Sequence, residues 1–168
     1  MSSIITLVGF SGAGKSVFGK KLATALNMDF FDLDLVIEEK FHSSIALLFA
    51  NYGEYCFRKC EAAVLSELLL YENCVIATGG GAPCYENSMD LINSRSKSIY
   101  LELSEDILFR NLKESKKRRP LTDNMNDEQL RDYIHKTLLL RIDYYSKAHF
   151  KIYSENGDFD IDNILKII

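Results

Sequence analysis

The chain has 168 residues, 47% hydrophobic and 26% charged, enough for one globular domain with a buried core and too short for two full domains. Its net charge of −4 gives no basis for broad electrostatic attraction to nucleic acid or an anionic membrane. Any anion has to be met by a local basic cluster.

In chain order, the apolar run Ile4–Val8 is the first predicted strand. It is far too short to span a membrane and leads into glycines rather than a small-residue cleavage site, so a cytoplasmic protein is expected. Gly9-Phe10-Ser11-Gly12-Ala13-Gly14-Lys15-Ser16 follows and opens a helix predicted over Lys15–Leu26. Strand, then G-x-x-x-x-G-K-[ST], then helix is the context in which this spelling has a mechanism. The glycines let the backbone curl with its amides inward, and the helix N-terminus adds partial positive charge. Lys15 reaches the outer phosphates of a nucleoside triphosphate, and Ser16 ligates magnesium. The alternative is a plain glycine turn, but a buried Lys15 is costly there unless an anion meets it. Gly12, Ala13, Gly14, Lys15, Ser16 and Val17 are therefore assigned to the nucleotide.

A second strand is predicted over Phe30–Asp32 and a helix over Leu35–Phe41. Asp32 and Asp34 then sit at a strand end, where ligands gather in open α/β sheets. Asp32 holds a magnesium-bound water and Asp34 orients an acceptor hydroxyl and takes its proton, or else either caps the helix, which needs only one of them. Helices follow at Ile45–Tyr52, with Ser44 capping it, and at Glu54–Leu70. Cys56 and Cys60, four apart, are expected at buried helix positions rather than as metal ligands. With Cys74 and Cys84 they form no CxxC pair, and reduced thiols are expected. The strand Cys74–Thr78 runs into Gly79-Gly80-Gly81, where a small substrate can approach the backbone, a ligand-free turn being the alternative. Next come a helix at Glu86–Asn93, a strand at Ser98–Leu103, and a helix at Glu105–Glu114 capped by Ser104. Ser115–Asn126, with Lys116, Lys117, Arg118 and Arg119 before Pro120, is predicted as a mobile loop. A helix at Asp127–Ala148, a strand at Phe150–Tyr153 and a helix at Asp160–Lys166 complete the chain. The alternation predicts an α/β fold, a parallel sheet with helices on both faces. Taken singly, Arg58 and Arg141 read as solvated helix residues.

No Asn-Lys-x-Asp for reading guanine is present, and a chain of this size most readily transfers phosphate to a small molecule. The ordered set GFSGAGKS, FDLDLVIEE, SIALLFANYGEYCFRKCE, ATGGG, RRPL and LLLRIDYY resembles the shikimate kinases over nearly the whole chain. The resemblance implies a P-loop kinase fold: one domain over residues 1–168, a five-stranded parallel sheet, a lid near 115–126 and acceptor-binding helices near 34–61. It implies ATP and Mg2+ as cofactors and phosphorylation of the shikimate 3-hydroxyl. By the same resemblance Asp34 binds the ring hydroxyls and acts as base, and Asp32 steers magnesium through water. Arg58 and Arg141 clamp the shikimate carboxylate, Glu61 orients those arginines, and Gly79, Gly80 and Gly81 contact the substrate. Arg119 is the lid arginine that stabilises transferred charge, with Arg118 beside it as the other candidate. Arg110 contacts adenine together with a loop around 154–158. The competing expectations are a gluconate or nucleoside monophosphate kinase, and an idle nucleotide-binding module, which would be expected to lack Asp34, Arg119 or Arg141. A monomer with no nucleic-acid or membrane partner is expected.

Overall fold

Every residue of the strand Ile4–Val8 (β1) is buried, so it must be covered on both faces. In the computed structural model, which describes residues 4–115, 121–122 and 124–168, that cover comes from helices on either side of a parallel sheet. The other strands are β2 (Asp29–Asp32), β3 (Cys74–Ala77), β4 (Lys97–Leu103) and β5 (Phe150–Ser154), in the order β2-β3-β1-β4-β5. β1 lies at the centre, with Leu7 beside Ala77 on one side and Ile99 on the other.

Because side chains alternate along a strand, the sheet splits into two cores. Ile5, Leu7, Val75, Ile99 and Leu101 pack under α1 (Lys15–Leu26) and α7 (Ile161–Leu165). Ile4, Val8, Ile76 and Tyr100 pack against the other five helices. These are α2 (Leu33–Phe41), α3 (Ile45–Leu68), α4 (Ser88–Arg95), α5 (Glu105–Glu114) and α6 (Asp127–Tyr145). The chain leaves β1 through α1 towards β2 on one side, and from β3 it crosses back over β1 to β4 on the other. The crevice beyond the carboxyl end of β1 is thus the switch point where α/β sheets bind ligands.

Strands β2 to β5 keep their predicted places with ends moved by a residue, and β1, α1 and α5 match their predicted bounds. α2 begins two residues early because Asp32 caps it, accepting from the amides of Asp34 (3.1 Å) and Leu35 (3.4 Å). The two helices predicted on either side of Gly53 form one element that breaks at that glycine (φ 76°, ψ 169°). A short 3-10 turn at Ala82–Cys84, absent from the sequence reading, pushes α4 to Ser88–Arg95. α6 stops at Tyr145, three residues short of the expected Ala148, and α7 is confined to Ile161–Leu165. Cys56 is exposed and Cys60 only half-buried, which corrects the expectation that both lie in the core. The buried stripe of α3 runs through Phe57, Glu61, Val64, Leu65 and Leu68, one position off both cysteines. Among the described residues no cluster of three metal-ligating side chains occurs and no helix is long and apolar enough to cross a membrane.

Candidate active site

The loop after β1 folds as its spelling requires. Gly12 (φ 85°) and Gly14 (φ 82°) take left-handed backbone, and Gly14 caps α1. Asn111 of α5 donates its Nδ2 to the Gly12 carbonyl at 2.9 Å, fixing the loop from outside. The Lys15 ammonium is buried and donates to the carbonyls of Gly9 and Phe10, each at 2.7 Å. The cost assigned to burying this lysine is thus already offset by the loop itself, while the amino group stays beside the phosphate cradle. The Ser16 hydroxyl donates to Asp32, so the last residue of β2 both caps α2 and faces the loop. Val17 lies in the first turn of α1 with an exposed side chain, which leaves its backbone as the group nearest the cradle.

Beside the loop lies a cavity of about 500 Å³ lined by Ser11, Asp34, Arg58, Glu61, Arg141 and the three glycines after β3. None of Gly79, Gly80 and Gly81 has positive φ; what marks them is the groups that crowd the space a side chain would need. A Cβ on Gly81 would stand 2.6 Å from the Arg58 Cζ and both its Nη atoms. One on Gly79 would stand 2.7 Å from a Glu61 carboxylate oxygen and 3.1 Å from Asp34 Oδ1. One on Gly80 would stand 2.8 Å from the Ser11 hydroxyl and 3.3 Å from Arg141 Nη1. The turn is therefore the surface on which the acid, the arginines and the phosphate loop meet.

Arg58 Nη1 donates to Glu61 at 2.6 Å and Nη2 to Glu54 at 3.3 Å, and the guanidinium lies 5.3 Å from the Phe57 ring centroid. Arg141 lies 5.8 Å from the centre of the Phe10 ring. Neither arginine is the solvated helix residue that it resembles when read singly. Burial pushes the Glu61 carboxyl above the usual range, against the Arg58 charge. Burial also works against the Arg58 charge, but Glu61 and then Glu54 more than offset it. Such a pocket, two guanidinium groups over a glycine turn with a carboxylate facing a phosphate cradle, can hold a compact hydroxy acid.

Arg110 of α5 reaches the far loop, its Nη2 donating to the Asn156 carbonyl at 3.1 Å. Arg119 and Arg118 lie outside the described residues, as does half of the stretch assigned to a lid. Sequence reasoning missed Ser11, Glu38, Phe49 and Tyr133, which line the cavity, and Asn111. It also missed Tyr145, whose buried hydroxyl donates to the Gly80 carbonyl at 2.6 Å. Only Tyr145 carried a signal, lying one helical turn beyond Arg141.

A family model described as shikimate kinase matches residues 11–168. A shikimate kinase of Bacteroides thetaiotaomicron is 42% identical over 87% of this chain and 83% of its own. The crystal structure of a shikimate kinase from the same organism superposes with a TM-score of 0.93 at 35% identity, covering 99% of this chain and 98% of that one. A shikimate kinase from Acinetobacter baumannii, solved in complex with shikimate, superposes at 0.90 with 32% identity over 99% and 93% of the two chains.

Proposed function

The chain belongs to the shikimate kinase family, and from that premise we propose that it transfers the γ-phosphate of ATP to the 3-hydroxyl of shikimate. The products are shikimate 3-phosphate and ADP, a step of aromatic amino-acid biosynthesis. The observation that carries the reading is the meeting of Asp34, Arg58 and Arg141 on one glycine turn beside the phosphate loop.

The backbone amides from Gly12 to Val17 hold the phosphates, and Lys15 exchanges two loop carbonyls for phosphate oxygens. The paired oxygens of Ser16 and Asp32 fit a hard divalent cation such as Mg2+. When bound, that ion neutralises charge building between the β- and γ-phosphates. Arg58 and Arg141 fork the shikimate carboxylate, Glu61 holds Arg58 in place, and Gly79, Gly80 and Gly81 form the floor. Asp34 orients the hydroxyl and accepts its proton as the phosphoryl group moves in line. Arg110 contacts the adenine, and Arg119, outside the described residues, stabilises charge on the transferring group.

An assay of ADP release with shikimate, gluconate and CMP in parallel tests the acceptor; turnover with gluconate or CMP alone would overturn it. Asp34→Asn should lower kcat by about 100-fold or more while the KM for ATP stays put. An unchanged kcat removes Asp34 from the chemistry.

A further inference from the structure

A buried phenol needs a partner for its hydroxyl. Tyr145, the last residue of α6, is completely buried, and its Oη donates to the carbonyl of Gly80 at 2.6 Å. The direction of that hydroxyl is set by packing, since the ring lies against Tyr100 with centroids 5.2 Å apart and planes inclined by 32°. Arg141 stands one turn earlier on the same helix face. Its Nη1 is 3.3 Å from the place a Gly80 Cβ would take. One residue of the glycine turn is thus bonded from α6 by a hydroxyl on its carbonyl, with the Arg141 guanidinium over the face where its side chain would stand. The Cys84 thiol, at the end of the 3-10 turn that follows, belongs to the same cluster. Burial pushes it up to about 11 with the Arg141 and Arg58 charges opposing, so it stays neutral.

We infer that Tyr145 is a positioning residue for acceptor recognition, its hydroxyl keeping the glycine turn in register with Arg141; this rests on the shikimate kinase reading above. Two walls of the acceptor cavity come from elements remote in sequence, the loop after β3 and the helix α6. The hydrogen bond from Tyr145 to Gly80 ties them together within a few ångströms of the place proposed for the substrate carboxylate. Without it the Gly80 carbonyl loses its donor and the turn can shift against the arginine. The phosphate loop touches this turn through Ser11, but it has anchors of its own in Asn111 and its backbone, so the larger effect is expected on the acceptor side.

Tyr145→Phe keeps the ring and removes only the hydroxyl. It should raise the KM for shikimate about tenfold, the loss expected for one hydrogen bond in a charged setting, with kcat and the KM for ATP within about twofold of wild type. In an Arg141→Ala background the same change should have much less effect on that KM, because the partner it aligns is gone. A lower melting temperature with no change in the KM for shikimate would overturn the inference, as would equal rises for both substrates or an equal effect in the two backgrounds. A wild-type protein inert towards shikimate removes the acceptor reading instead. Crystal structures of wild type and Y145F then decide the positioning claim: an Arg141 guanidinium displaced from Gly80 upholds it, and an unmoved one overturns it.

Discussion

Glu61 shows how much a single buried side chain can govern in the proposed acceptor site. It is 1% exposed, takes a hydrogen bond from Arg58 at 2.6 Å, and stands against Gly79. Burial raises its pKa above the usual carboxylate range, with Arg58 opposing and Asp34 adding to the rise. Protonation removes the negative charge that aims Arg58 and weakens the hydrogen bond between them. As pH falls into that raised range, the KM for shikimate should climb while the KM for ATP holds, and Glu61→Gln should lack this dependence. Identical KM–pH profiles for the two proteins would remove Glu61 from acceptor recognition. The effect on stability has the opposite sense to that of an exposed ion pair. The folded protein keeps this proton to higher pH than the unfolded chain, whose carboxyl titrates near 4.5. The stability it contributes is complete below 4.5 and is lost as pH rises through the folded value. Denaturation midpoints of Glu61→Gln should therefore vary less across that interval. The resemblance named Glu61 as the residue that orients the arginines, but its burial was not legible in FRKCE, since a helical pattern shows that Arg58 and Glu61 share a face but not that the face is covered.

At the scale of elements, Asp32 joins β2, α2 and the phosphate loop. Asn caps a helix about as well as Asp, whereas Ala forfeits about 1 kcal/mol. Asp32→Asn should thus keep the urea midpoint and Asp32→Ala should lower it, while both raise the Mg2+ concentration needed for half-maximal rate. Equal Mg2+ requirements in wild type and both variants would leave Asp32 with capping alone. The sequence posed these roles as alternatives; in the structure Oδ1 takes the cap amides and Oδ2 the Ser16 hydroxyl, so capping α2 leaves the carboxylate facing the phosphate loop. Caps at Ser44 and Ser104 were legible because they depend on neighbours within one turn; they accept from Leu47 at 3.3 Å and Ile107 at 3.4 Å. The 3-10 turn at Ala82–Cys84 was not, because it rests on packing against α4 and α6 rather than on local spacing. The triple glycine was legible as a feature but for an incomplete reason. Its glycines make room first for Arg58, Glu61 and Ser11, and only through them for a ligand.

Across the whole molecule, five strands were legible from their apolar runs, but their order was not. The placing of β3 between β2 and β1 is settled by how the crossover helices pack, which no short window of sequence records. That order gives the two halves of the site unequal support. The triphosphate loop hangs from β1, which is hydrogen-bonded on both sides and buried at every residue. Asp34, Arg58 and Glu61 hang from α2 and α3, which follow β2, a four-residue rim strand that among the described residues bonds to β3 alone. Deuterium should therefore enter the amides of α2 and α3 well before those of β1, and uniform uptake across the three would contradict this difference. A fold built this way is expected to breathe on the side proposed for the small acid and to stay rigid under the phosphate loop.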